Sequence, residues 1–291
     1  MNILLAFQSI RCPFLDVVFK IFTTLGEQYF IMLLFCWLAW CSDKRFAMKT
    51  GFAFCIGMGI NQVLKIIFCV QRPWVSDSRL KPSAAAVKTA TGYSFPSGHT
   101  QSGITVFGSL AIWIKKRFAA VLLIFCAVMT GVSRLYFGVH TPQDVCVSFA
   151  IGIAVIFLIE IFYGAFERHP ASTAAVFIAT SLCMVAFAVL KPYPEYHKPE
   201  FMYDCIKIAG AIGGFAFGWF LEKKFLNYKT GGKTADKIAR VAVGIVLLLI
   251  LKLMFKKLFE QTYLIMYVQN FVLLFWCVFL YPFIFQKIRK I

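Results

Sequence analysis

Long apolar runs decide what this chain can fold into. Stretches near 51 to 70, 118 to 138, 142 to 163 and 171 to 190 reach about the 20 residues that an α-helix needs to cross the hydrocarbon of a bilayer. Inside lipid every backbone N–H and C=O must find its partner within the spanning structure, which leaves helices or closed barrels. The alternating ten-residue segments of a barrel are absent. Hydrophobic residues make up 60% of the 291, and the mean hydropathy is +0.76, beyond what a dispersed globular domain carries. The expected class is therefore an all-α integral membrane protein.

Nine spans are predicted, at about 28 to 41, 51 to 70, 97 to 114, 118 to 138, 142 to 163, 171 to 190, 204 to 221, 238 to 256 and 263 to 284. Ahead of them, residues 1–27 place Ile3, Leu4, Phe7, Ile10, Phe14, Val17, Val18 and Phe22 at helical spacing. Gln8, Arg11, Asp16 and Lys20 interrupt that run, which reads as an amphipathic helix lying in the interface. It lacks a basic start and a small-residue cleavage site, so it is not read as a signal peptide. The polar tract 222 to 237, EKKFLNYKTGGKTADK, sets off the last pair of spans. The expected division is the interfacial helix 1–27, a core of spans at 28–165, and additional spans at 166–291.

The net charge of +17 could suggest nucleic acid, but the basic residues sit in short tracts between apolar runs, where they set topology instead. One set of alternate loops holds Lys44, Arg45, Lys49, Lys115, Lys116, Arg117, Arg168, Lys223, Lys224, Lys229, Lys233, Lys237, Lys287, Arg289 and Lys290. The positive-inside rule puts that side, and the C-terminus, in the cytoplasm, with loops 71 to 96, 139 to 141 and 191 to 203 outside. The ten cysteines form no CxxC pair and read as packing residues, supporting neither a zinc site nor a disulfide framework. Gly210, Gly214 and Gly218 recur every fourth residue, a face on which another helix can approach closely.

Three polar clusters fall at helix ends on the predicted outer side. Lys65 and Arg72 close the second span, with Pro73 after them. Seven residues are almost two turns, which would put both cations on one helix face about 10 Å apart. Tyr93-Ser94-Phe95-Pro96-Ser97-Gly98-His99-Thr100 opens the third span. Pro96 and Ser97 suit a helix start, and Gly98 lets a backbone N–H of that helix N-terminus approach an anion. Ser133-Arg134 ends the fourth span, and His140 and Asp144 flank the start of the fifth. At a spacing of four, Asp144 can reach back to His140 and fix its tautomer, so that the other ring nitrogen presents a lone pair. Taken singly, snorkelling cations, a capped helix and a dipole-complementing acid explain each cluster. Together they supply what phosphoryl transfer needs: cations, N–H donors, a nucleophile, its orienter and a second histidine as acid.

The same residues spell KxxxxxxRP from Lys65 to Pro73, PSGH from 96 to 99 and SRxxxxxHxxxD from Ser133 to Asp144. The chain thereby resembles the type 2 phosphatidic acid phosphatase (PAP2) family, without a departure in any of the three motifs, over about residues 28 to 165. The resemblance implies a six-helix transmembrane core, here followed by about three additional C-terminal spans. It further implies that His140 attacks phosphorus to form a phosphohistidine, that Asp144 orients it, and that His99 protonates the leaving oxygen and later activates water. Lys65, Arg72, Ser97, Gly98 through its N–H, and Arg134 would hold the phosphate. No metal or other cofactor is implied, and no Asp/Glu cluster near these motifs could hold magnesium.

The partner implied is a lipid phosphate in the bilayer, with the site at headgroup level on the outer face of the cell membrane. Phosphatidate, phosphatidylglycerophosphate, a sphingoid phosphate and a polyprenyl diphosphate all stay open, as does a phosphotransferase using the same site. Residues Trp74 to Phe95, between the first two clusters, are the expected headgroup selector. A transporter would place charges near the midplane rather than at one edge, and a haloperoxidase of related chemistry would not need the spans. Whether the chain forms a homo-oligomer stays open, with the last three spans read as a dimer interface or a lateral lipid entrance. Of the remaining polar residues, His169 and His197 are expected in solvent, and Glu160 is expected to pair with a neighbouring helix.

Overall fold

The computed structural model describes residues 1–288; Arg289 and Lys290, counted above for topology, lie outside the described residues. Those described form helices and connecting loops, with no strand. In chain order the helices are α1 (Asn2–Ser9), α2 (Pro13–Leu25), α3 (Gln28–Cys41), α4 (Lys44–Phe68), α5 (Pro73–Ser76), α6 (Ala84–Val87), α7 (Gly98–Trp113) and α8 (Arg117–Tyr136). There follow α9 (Pro142–Arg168), α10 (Pro170–Leu190), a 3-10 turn (Pro199–Met202), α11 (Tyr203–Leu221), α12 (Thr234–Leu258), α13 (Tyr263–Phe275) and α14 (Tyr281–Ile288).

Seven helices or helix runs of the described residues are long and apolar enough to span a membrane. Two of the nine expected spans fall short of that length by themselves. The segment read as 28 to 41 is a 14-residue helix, and reaches spanning length only together with α2, to which it is bent by 50°. The segment read as 97 to 114 is a 16-residue helix, about 24 Å long at 1.5 Å per residue against a hydrocarbon thickness of about 30 Å.

The N-terminal run is two helices rather than one. The break falls at Pro13, which has no N–H to continue a helix and starts α2 at its first position instead. α2 is tied to α8: Tyr136 donates its hydroxyl to Asp16 at 2.7 Å, Thr130 bonds the Phe22 carbonyl, and Phe19 stacks on Tyr136 with ring centroids 4.1 Å apart.

The chain divides into two compact units whose segments alternate along the sequence. Met1–Ile31, Ile56–Ile159 and Pro192–Asp204 make the first; Met32–Cys55, Glu160–Lys191 and the chain from Cys205 onward make the second. In the second unit Phe52 sits among Tyr163, Phe166, Phe177, Phe215 and Trp219. The glycine face of α11 meets α13 as expected: a side chain at Gly214 would run into the Phe271 backbone, and one at Gly210 into that of Tyr267. Glu160 pairs with Lys49. Six cysteines are buried, and all ten are free thiols.

Candidate active site

All eight residues singled out as the site belong to the first unit, and the turns that deliver them are short. α4 stops at Phe68 because Cys69 adopts a left-handed backbone, φ 48°, while its N–H still reaches the Lys65 carbonyl at 3.0 Å. Arg72 therefore lies beyond the helix, as the residue that precedes α5, and not on one helical face with Lys65. The two cations are brought together by a different element. The loop Thr91–Ser94 presents four successive carbonyls: those of Thr91 and Gly92 accept from Arg72 at 2.5 and 3.0 Å, and those of Tyr93 and Ser94 accept from Lys65. Both cations are buried.

The α8–α9 connection turns at Gly138, whose φ of 69° lies in the region that glycine enters without steric cost. That turn sets His140 just ahead of α9. His140 and Asp144 are each 2% exposed, and the His140 Nδ1 lies 3.2 Å from the Asp144 Oδ2. The same carboxylate oxygen accepts from the Ser94 hydroxyl at 2.6 Å and from the Thr141 N–H at 2.9 Å. An oxygen held by those two donors stays ionised and accepts from the imidazole, which puts the proton on Nδ1 and the lone pair on Nε2. That lone pair faces the Arg72 guanidinium at 3.0 Å. Burial, and next the Arg72 charge, hold the His140 pKa well below its ordinary value in spite of Asp144, so the ring is neutral at physiological pH.

Ser97 caps α7, its hydroxyl oxygen accepting from the Thr100 N–H at 3.4 Å and from the Thr100 hydroxyl at 2.9 Å. In both contacts Ser97 accepts, which leaves its own proton to donate. Gly98 opens the helix, with Asn61 and Met58 of α4 as its nearest foreign side chains. The Ser97 N–H bonds the Asp144 carbonyl at 3.3 Å, which joins the α7 start to α9. His99 has its Nε2 buried without a hydrogen-bond partner, and the cations acting on it are Arg134, Arg72 and Lys65. Arg134 is fully buried; Nη1 donates to the Thr23 hydroxyl at 2.7 Å, while Nε and Nη2 have no partner. Both amide atoms of Asn61 are likewise buried without one.

Buried polar atoms of this kind are costly unless a ligand or water meets them. The arrangement thus offers a second imidazole, the Nε/Nη2 edge of Arg134 and a helix N-terminus to a compact anion, beside the His140 imidazole and the Arg72 guanidinium, which are bonded to each other. Among the described residues no group of three or more His, Cys, Asp and Glu side chains gathers as a metal-binding set.

Three contributors escaped the sequence reading. Ser94 stood inside a quoted motif, yet nothing in its spacing pointed to Asp144, 50 residues on. Thr23 lies in the run assigned to the interface, 111 residues before the arginine that it contacts. His197, expected in solvent, instead bonds the Tyr93 hydroxyl at 2.7 Å and stacks on Tyr193. The only signal was the aromatic density of KPYPEYHKPE. The segment that carries His197 covers the carbonyl loop, with Phe201 against Tyr93 and Thr91 bonded to Asp204. Trp74 and the short α6, parts of the expected headgroup selector, pack with Tyr136, Phe137 and Val139 and with Phe7, Leu15 and Phe19.

Residues 46–168 match the profile of the PAP2 superfamily, and residues 206–290 match that of the PAP2 superfamily phosphatase transmembrane extension. The chain is 27% identical over 162 residues to the phosphatidylglycerophosphatase B of Bacillus subtilis, a match that takes in 52% of this chain and 76% of that protein. It is 32% identical over 136 residues to the undecaprenyl-diphosphatase BcrC of the same organism (45% and 65%). A Dictyostelium discoideum protein named "Probable sphingosine-1-phosphate phosphatase" is 29% identical over 171 residues (53% and 40%). The chain thus spans less than two thirds of the length of the last two. No solved structure gives a significant match.

Proposed function

From its membership of the PAP2 superfamily, to whose membrane lipid phosphatases the chain belongs, we propose that it hydrolyses a lipid phosphomonoester or diphosphate through a phosphohistidine at His140. The observation that carries this reading is the division of labour on one imidazole: Nδ1 held by Asp144 and Nε2 turned to the Arg72 guanidinium.

In the first step the Nε2 lone pair attacks phosphorus and the bond from phosphorus to the lipid oxygen breaks. His99, which takes up a proton as the phosphate dianion binds beside it, gives that proton to the oxygen, and the lipid leaves as an alcohol, or as a monophosphate when the substrate is a diphosphate. As the imidazole turns cationic, Asp144 stabilises it through Nδ1–H. Arg72, Arg134, Lys65, the Ser97 hydroxyl and the Gly98 N–H balance the charge on the phosphoryl oxygens. In the second step His99, now neutral, takes a proton from water as the water oxygen attacks phosphorus. The bond from phosphorus to Nε2 breaks, and inorganic phosphate departs. No step calls for a metal ion.

The site would stand at the outer membrane face, where the headgroup reaches it while the tail stays in hydrocarbon, and the C-terminus would be cytoplasmic. The relatives named above point to three different lipids, so the substrate is assigned by class: a phosphate ester or diphosphate on a long apolar tail. Phosphate release by the purified protein from a panel of such lipids tests the proposal. Turnover of at least one, inhibited by vanadate and insensitive to EDTA, is expected. Release abolished by EDTA and restored by a divalent cation would overturn the metal-free route.

A further inference from the structure

The buried arginine in the last turn of α8 is held by a residue outside both segments that match the family. Arg134 has no exposed surface, and the hydrogen bond that fixes its guanidinium is the one from Nη1 to the Thr23 hydroxyl on α2, at 2.7 Å. Thr23 is itself 6% exposed. Its neighbours keep α2 in place by contacts of their own. Thr130, one turn before Arg134, bonds the Phe22 carbonyl at 3.2 Å. Gly26 allows no side chain, because a Cβ there would stand 2.6 Å from Thr130 Cγ2 and 2.8 Å from the His99 carbonyl oxygen. Tyr136 bonds Asp16 on the same helix. The last turn of α2 therefore lies against both the arginine and the histidine of the site.

A guanidinium is a planar fork, so fixing one nitrogen restricts where the others point. With Nη1 tied to Thr23, the nitrogens left over are Nε and Nη2, which are buried and unpartnered. These two form one edge of the fork, the edge that engages two oxygens of a phosphate side by side. We infer that Thr23 is a positioning residue: by holding Nη1 it aims the Nε/Nη2 edge of Arg134 at two phosphoryl oxygens of the substrate. The N-terminal α2 is thereby part of the phosphate site and not only a membrane-surface anchor. This rests on the reading of Arg134 as a phosphate-binding group.

The test is a double-mutant cycle on the purified full-length protein, with Thr23→Val, which keeps the shape and removes the hydroxyl, Thr23→Ser, which keeps it, and Arg134→Lys. Phosphate release and inhibition by vanadate are measured for each. A hydrogen bond to a charged group stabilises by an amount that corresponds to roughly tenfold or more in binding. Thr23→Val should therefore raise both KM and the vanadate inhibition constant by about tenfold, with a smaller change in kcat. Thr23→Ser should restore both. In the Arg134→Lys background Thr23→Val should add little, because the group that it positions is gone, whereas a loss of packing would add fully in either background. Full additivity, or unchanged vanadate inhibition in Thr23→Val, would overturn the inference. If Thr23→Val does not fold, comparing Thr23→Ala with Thr23→Ser on the same readouts decides it. Should the unmodified protein release phosphate from no lipid, the functional reading fails instead, a result distinct from either.

Discussion

Two buried arginines, Arg134 in the first unit and Arg240 in the second, have little solvent contact and very different company. Both terminal nitrogens of Arg240 reach carbonyls, those of Trp40 at 2.6 Å and Gly231 at 3.3 Å, and its own carbonyl accepts from Tyr281. Lys44 of the same unit is satisfied too, by Glu222 at 2.7 Å, Asn227 at 2.9 Å and the Tyr228 carbonyl at 3.0 Å. In the first unit Arg134 keeps two nitrogens unpartnered and His99 keeps one. The Arg240 and Lys44 charges of the second unit close on protein partners, whereas in the first unit Lys65 and Arg72 close on a carbonyl loop and the Arg134 and His99 nitrogens stay open, as the proposed anion site needs. Breaking the two kinds of site should have opposite signatures, in activity for the first unit and in stability for the second.

The largest loss is expected from His140→Ala, which removes the proposed nucleophile and should cut phosphate release by at least about 10⁴-fold while the protein elutes and melts like the parent. Residual turnover within a hundredfold of the parent would take His140 out of that role. Asp144→Asn keeps the shape but can no longer accept from Nδ1–H as a carboxylate does; about 10³-fold or more should be lost in kcat. A normal kcat would show that the carboxylate serves only as the cap for α9, through the Thr141 N–H.

The second unit should respond the other way. Glu222→Gln leaves Lys44 without its anion in a largely buried setting and should lower stability by about 3 kcal/mol. That is read as a fall in the melting temperature in detergent, with kcat unchanged at a permissive temperature. A fall in kcat without a fall in melting temperature would blur the distinction between the units.

The smallest effect expected is on the pH profile. Because the His140 pKa lies well below its ordinary value, the neutral nucleophile persists as pH falls through about 6.5, the unperturbed histidine value. It is lost only nearer its depressed pKa. The acid limb of kcat/KM, which reports the free enzyme, should therefore lie below 6.5 for a substrate already ionised there. A limb centred at 6.5 that shifts with Asp144→Asn would mean a solvated His140.

Sequence made the motifs legible because each occupies a few consecutive residues at a helix end, where capping and charge are local. Proline, serine and glycine before His99 mark a helix start in any context, and α7 does begin at Gly98. The spacing of Lys65 and Arg72 was misleading for an equally physical reason. Helical periodicity assumes that the helix continues, and nothing about a cysteine announces the left-handed turn at residue 69. Two cations expected to share a helix face are instead collected by four carbonyls of another loop. Long-range partners were invisible in principle: Ser94 for Asp144, Thr23 for Arg134 and His197 for Tyr93 are polar residues of ordinary type. Only the folded chain says which hydroxyl meets which charge. The helical break at Pro13 could have been read from proline alone, and the apolar periodicity on both sides of it hid the break.

If His140 carries the phosphoryl group, as proposed, that group can be trapped on it. The purified protein is mixed with a lipid substrate radiolabelled in the transferred phosphate, quenched in alkali within one turnover, digested and sequenced by mass spectrometry. The expected label survives alkali, is lost in acid, sits on His140 and is absent from His140→Ala. A label on any other residue, or turnover with no labelled protein at any quench time, would contradict the proposal.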